Sequence, residues 1–124
     1  IMASELRVNT LKDASGNNSI ATSFVAGGSA KAWVNFNGTG TAAIRDSLNT
    51  ASLTDNGTGT FGVNFSSAFV NDDYAASGSF NWSNNANQLY VIADLTTNGE
   101  CNTYEANSAV DRSEVYAIYH GDLA

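Results

Sequence analysis

The stretch from Ala30 to Phe69 constrains this chain most. Two of its segments alternate apolar and polar side chains with the period of an extended strand. In the first, Ala30, Ala32, Val34 and Phe36 fall on one side, and Lys31, Trp33, Asn35 and Asn37 on the other. In the second, Phe61, Val63 and Phe65 alternate with Thr60, Gly62 and Asn64. Successive strand side chains point to opposite faces, so each segment predicts a strand with one apolar face. Asn37-Gly38-Thr39-Gly40 follows the first segment and Asp55-Asn56-Gly57-Thr58-Gly59 precedes the second. Glycine and asparagine take positive φ at low cost, as tight strand reversals require. Between the turns, Ser47 to Thr54 is rich in Thr, Ser and Leu, which suits a hairpin partner for the second strand.

The same pattern recurs along the chain. Leu6 to Leu11 predicts a short strand, and Lys12 to Ser19 is turn chemistry throughout. Ile20 to Val25 reads as a short strand or a bridging segment, and Ala26-Gly27-Gly28-Ser29 as a flexible joint. Tyr74 to Trp82 predicts a strand with Tyr74, Ala76, Gly78, Phe80 and Trp82 on one side. Leu89 to Leu95 and Ser113 to His120 predict two more, and Thr96 to Ala109 is the longest polar interval. Helical periodicity is absent; Ala42 to Leu48 has room for one turn at most. The expected fold class is therefore all-β, an antiparallel, meander-rich sandwich with essentially no helix. Residues 1–25 form an N-terminal segment, either neck-like along an oligomer axis or an ordinary edge hairpin, and residues 26–124 the sandwich domain.

Composition narrows the function. At 124 residues the chain is one domain, and its 43% hydrophobic content can supply a core. The net charge is -7 with only 5 Lys and Arg, so the basic patch of a nucleic-acid binder is missing, as is the charge for attachment to anionic lipid. No apolar run approaches the roughly 20 residues that span a bilayer. No signal peptide stands at the start, and Ile1-Met2-Ala3-Ser4 reads as a cloning remnant on a piece of a longer protein. One cysteine, Cys101, permits no disulfide within the chain.

Two strands are apolar on both faces. Leu89, Val91, Ala93 and Leu95 oppose Tyr90 and Ile92; Val115, Ala117 and Tyr119 oppose Tyr116 and Ile118. A strand in a two-layer sandwich has one dry face and one wet face, so these predict a second cover, either another subunit or another segment of the same chain. Trp33, on an otherwise polar face, carries the same choice.

The runs KAWVNFNGTGTAAIRDS and LTDNGTGTFGVNFSSAF resemble a module of bacteriophage tail-fibre proteins, especially marine ones. The run LRVNTLKDASGNNS fits the same module, and VDRSEVYAIYHG fits it more loosely. The resemblance covers residues 6 to 70 and that last strand; residues 71 to 109 match nothing. It implies a homotrimeric, non-enzymatic, receptor-binding or tip-like fibre domain in the virion, recognising the host-cell surface. It maps no catalytic motif. The alternatives are a structural spacer of the fibre shaft and a glycan-degrading fibre domain. The close of the chain directly after a strand, at His120-Gly121-Asp122-Leu123-Ala124, favours the tip.

No reactive constellation competes with that expectation. Asp55–Gly59 lacks the alternating acidic ligands of a helix-loop-helix calcium site, and Asp72-Asp73 reads as a solvated loop rather than a cation site. Glu100, Glu105, Asp111 and Glu114 supply carboxylates, but glycoside hydrolysis needs a pair about 5–9.5 Å apart, a separation that spacing in sequence does not give. His120 is the sole histidine, so no metal cluster and no cofactor is expected. Several Asn-x-Ser/Thr triplets match the glycosylation pattern, as chance dictates in so Asn/Ser/Thr-rich a chain. The expected partners are two further copies of the chain and a bacterial surface polysaccharide.

The expected sugar site lies in the longer loops, Ser83–Gln88 and Thr96–Ala109, because loops on a rigid scaffold carry recognition. Tyr104 and Trp82 are the stacking candidates, since an aromatic ring offers flat area with a polar tip. Trp82 has a competing reading as core, continuing the Phe80 face. Asn84, Asn85, Asn87, Asn102 and Glu105 are the polar candidates, matched to sugar hydroxyls by their paired hydrogen-bonding atoms.

Overall fold

The structure, a computed structural model, describes residues 3–81 and 87–124. Its body is an antiparallel β-sandwich, as the alternation predicted. The first sheet takes the order β4–β3–β11–β7, from β3 (Ala32–Asn37), β4 (Ala43–Leu48), β7 (Ala75–Phe80) and β11 (Val115–His120). The second takes the order β5–β6–β9–β8, from β5 (Thr50–Asp55), β6 (Thr60–Phe65), β8 (Asn87–Leu95) and β9 (Asn98–Glu105). The short β10 (Ser108–Ala109) folds back on the end of β9. Ahead of the sandwich lie a two-residue hairpin, β1 (Thr10–Leu11) with β2 (Ile20–Ala21), and one helix, α1 (Thr22–Gly28).

The core is where the inward positions of the sheets meet. Ala32, Val34 and Phe36 of β3 and Phe61, Val63 and Phe65 of β6 are buried, as their period-two pattern predicted. They face Val115, Ala117 and Tyr119 of β11 and Cys101 and Thr103 of β9. At one end Phe65, Phe69, Tyr74 and Tyr119 form an aromatic cluster, with Phe69 and Tyr74 stacked at 4.3 Å and Phe65 edge-on to Tyr119 at 5.1 Å. Offset and edge-on rings are the arrangements their quadrupoles favour. The Tyr74 hydroxyl lies 2.7 Å from the Asn98 carbonyl, to which it donates, and it accepts from the Asp94 amide. That tie pins the β8–β9 turn to the core.

The structure departs from the sequence reading in several places; of the predicted strand Leu6 to Leu11, only Thr10–Leu11 is paired. Thr22–Gly28 is helical, where the sequence predicted a strand or bridge and a flexible joint. The domain boundary drawn at residue 25 falls inside that helix, and the sandwich proper starts at Ala32. Of Ser47 to Thr54, the residues from Thr50 on form the expected hairpin partner of β6, while Ser47 and Leu48 belong to β4, and Asn49, at φ 53, turns the chain from one sheet to the other. Most consequential, Thr96 to Ala109 is not a loop. Its residues 98–105 are β9, paired with β6 along one edge and β8 along the other.

The reason β9 escaped notice is its inward row. Gly99, Cys101 and Thr103 are small and weakly apolar, yet all are buried. They are small because the opposite sheet fills the space: a Cβ on Gly99 would stand 2.5 Å from the Tyr119 ring. The hydrophobic bulk of this layer sits on β11, so β9 carries no run of large apolar side chains.

Candidate functional site

Because β9 is a strand, its side chains sort by face. Gly99, Cys101, Thr103 and Glu105 point inward, and Asn98, Glu100, Asn102 and Tyr104 point outward. Register carries that outward row across the second sheet. Asn102 stands between Tyr90 of β8 and Thr60 of β6, Glu100 between Ile92 and Gly62, and Asn98 opposite Asn64. On β5, Thr54 and Ser52 continue the Gly62 and Asn64 rows. The outer face of this sheet is thus a carpet of Asn, Thr, Ser and Glu with aromatic and apolar side chains along the β8 margin.

Its polar groups hold one another. Asn102 Nδ2 donates to Glu100 Oε1 at 2.6 Å, and Asn98 Nδ2 donates to Asp94 Oδ2 at 2.8 Å. Asn64 Nδ2 donates to Ser52 Oγ at 3.0 Å and Thr54 Oγ1 at 2.9 Å. Each such bond fixes the orientation of an amide on this face. At the margin the Tyr90 and Tyr104 rings meet edge to face, centroids 5.7 Å apart at 79°. Tyr90 remains 50% exposed, and Ile92 beside it 44%, so an aromatic surface adjoins the polar one.

The expected site residues therefore divide. Tyr104 and Asn102 share the outer face, on a strand rather than in a loop. Asn87 and Glu105 are register partners at the other face of the same strands, where both receive hydrogen bonds from Arg112. That guanidinium also lies over the Phe80 ring at 5.6 Å, and its ion pair with Glu105 is largely buried, so this cluster closes the end of the sandwich. Trp82, Asn84 and Asn85 lie outside the described residues. Tyr90, Glu100, Asn98 and Asn64 were not foreseen as a site. The usable signal was the two-residue spacing of Asn98, Glu100, Asn102 and Tyr104, which marks one face of a strand once the segment is known to be extended.

Two other candidates fall to burial or isolation. Cys101 is fully buried, 3.5 Å from the Tyr119 hydroxyl, and burial pushes its thiol up to about 11, leaving it protonated and unreactive at neutral pH. Among the described residues no three His, Cys, Asp or Glu side chains gather to hold a metal ion, and no pocket is enclosed. This face is an open surface of hydrogen-bonding groups beside exposed rings. The strands β5, β6, β8 and β9 carry no Lys or Arg, so the face suits hydroxyl-rich neutral ligands better than phosphate, sulfate or carboxylate groups. Comparison with protein-family models, with curated proteins and with solved structures gives no match.

Proposed function

We propose that this chain is a non-enzymatic receptor-binding domain of a bacteriophage tail fibre, carried in the virion as a homotrimer, that holds a neutral bacterial surface glycan on the outer face of its second sheet. The observation that carries the reading is the Tyr90–Tyr104 pair beside the hydrogen-bonded Asn102–Glu100 row. A sugar ring offers a weakly apolar face and a rim of hydroxyls. An exposed tyrosine matches the first, and oriented amide and carboxylate oxygens match the second. The sequence resemblance to tail-fibre modules supplies the biological setting. A shallow face gives weak single-site affinity, and three linked copies convert weak contacts into firm adsorption.

The test is binding of host cells and of an array of neutral and acidic bacterial polysaccharides by the parent, Tyr90→Ala and Tyr104→Ala, with folding checked by circular dichroism. Each substitution is expected to weaken single-site binding by about 3- to 10-fold, the equivalent of about 0.5–1.5 kcal/mol for an aromatic contact. Acidic polysaccharides are expected to bind less well than neutral ones. If both variants adsorb as well as the parent, the sugar site is elsewhere. Release of reducing sugar by the parent would replace binding with hydrolysis.

A further inference from the structure

Asparagine is followed by glycine at Asn37-Gly38, Asn56-Gly57 and Asn98-Gly99. That dipeptide carries a latent reaction. The glycine backbone nitrogen can attack Cγ of the asparagine side chain, and glycine hinders the ring closure least because it has no Cβ. The fold treats these pairs differently.

Two of the pairs are locked. Asn37 Oδ1 accepts from the Thr39 amide at 3.1 Å and from Thr39 Oγ1 at 2.7 Å, and Asn37 Nδ2 donates to the Thr39 carbonyl. The Gly38 amide donates to the Arg112 carbonyl at 2.8 Å, and Gly38 is buried against the Phe61 ring. Gly99 is buried between Val63 of β6 and Ala93 of β8, and Asn98 Nδ2 donates to Asp94 Oδ2. In both pairs the glycine nitrogen lies in packed backbone and the carboxamide is tied down, so ring closure requires local opening.

Asn56-Gly57 differs in each respect. It lies in the β5–β6 turn, and both residues are exposed. Among the described residues the Asn56 carboxamide has no hydrogen-bond partner. Gly57 stands at φ 125, with nothing within 4 Å of where a Cβ would be, so the backbone there has room to turn. The Gly57 amide donates to the Asp55 carboxylate, with Oδ1 at 3.0 Å, rather than to a backbone carbonyl. A carboxylate at that distance is within reach of the proton that must leave.

We infer that Asn56 is a self-modification site, converting to aspartate and isoaspartate with Asp55 as the base that takes the Gly57 amide proton. The Gly57 nitrogen forms a bond to Asn56 Cγ, and the Cγ–Nδ2 bond breaks. The proton passes on to the departing nitrogen, which leaves as ammonia, and a cyclic imide remains. Water then opens the imide at either carbonyl. One opening leaves aspartate in an ordinary backbone; the other leaves isoaspartate, whose main chain runs through the side-chain methylene. Water is the sole co-reactant, and neither step involves a sugar ligand. Either product changes the surface. Asn56 Nδ2 stands 3.7 Å from the position of a Cβ on Gly62, and Gly62 is the register partner of Glu100. The new carboxylate therefore adds negative charge to the outer face of the second sheet.

The experiment incubates the full chain for weeks in mildly alkaline buffer at physiological temperature, with a synthetic peptide spanning Thr54 to Thr60 as the unfolded reference. Peptide mass spectrometry locates the amide-to-acid mass gain, and isoaspartyl methyltransferase labelling scores isoaspartate. Asn56 is expected to convert at least as fast in the folded chain as in the peptide. Asn37 and Asn98 are expected to convert at least about tenfold more slowly than Asn56, since each ~1.4 kcal/mol of opening cost is a factor of ten. Ion exchange is expected to show a matching more acidic species, absent in Asn56→Gln, whose side chain would need a larger ring. Asp55→Ser keeps an oxygen acceptor for the Gly57 amide but no base, and is expected to slow the reaction several-fold with unchanged circular dichroism. Conversion of Asn56 slower than in the peptide, or of Asn37 or Asn98 as fast as Asn56, would overturn the inference. Asp55→Ser converting at the parent's rate would overturn the role of Asp55.

Discussion

At the scale of single residues, Tyr119 packs tightly against Gly99. The ring occupies the space a β-carbon would take, with the nearest ring atom 2.5 Å from the position of that carbon. Tyr119 is wholly buried and edge-on to Phe65, so it has nowhere to retreat. Gly99→Ala is therefore expected to destabilise the fold by about 1–3 kcal/mol, the range for overpacking a core, despite adding a single methyl group. Urea unfolding of the two proteins measures it; a change below about 0.5 kcal/mol would mean that the sheets part more easily than this contact implies. From sequence, Gly99 falls in the polar interval Thr96 to Ala109. It is buried in a strand because the glycine answers a side chain twenty residues away in the chain, on the opposite sheet.

At the scale of elements, the β9–β10 turn is the weakest local design. Its two central residues, Ala106 at φ 47 and Asn107 at φ 67, are both left-handed, as a two-residue hairpin turn of the primed type requires. Asparagine accepts that conformation readily, whereas alanine pays about 1 kcal/mol or more through its Cβ. Ala106→Gly is expected to stabilise the protein by up to about 1 kcal/mol, seen as a higher melting temperature. A lower melting temperature would show that the alanine methyl makes contacts worth more than the strain. The same turn explains why the segment was misread: Ala-Asn is a poor hairpin signal, while the NGTG turns, rich in residues that favour positive φ, announced themselves. The helix was missed for the opposite reason. Thr22–Gly28 has little helical propensity and no buried face to impose a period.

At the scale of the whole molecule, the sandwich is built around buried groups that ionise late. Burial raises the Cys101 thiol from 9.0 to about 11, and burial likewise raises the Tyr119 and Tyr74 hydroxyls. As pH rises, the unfolded chain loses these protons before the folded one. Their contribution to stability is therefore complete below about pH 9 and is lost as pH climbs through about 11 and beyond. Denaturant midpoints are expected to fall between about pH 9 and about pH 11, with a shallower fall in Cys101→Ala, and the thiol is expected to resist thiol reagents until the chain unfolds. A flat profile across that interval would mean that these groups are open to solvent. The exposed apolar side chains of β8 and β11 belong to this scale too. Tyr90, Ile92 and Ile118 are left open by the described chain, so the second cover their pattern called for is not supplied within it.

The sequence by itself determined which residues turn inward on β3 and β6, where the glycine-rich reversals lie, and that the class is all-β. Those are local properties: alternation follows from strand geometry, and positive φ from the absence or chemistry of a side chain. Only the tertiary structure decided that Asn98–Glu105 is a central strand, that Tyr104 and Asn102 share a surface with Tyr90, and that Glu105 and Asn87 are spent on Arg112. Burial of small residues such as Gly99, Cys101 and Thr103 is set by what faces them across the sandwich. That facing partner is distant in sequence, and no window along the chain contains it.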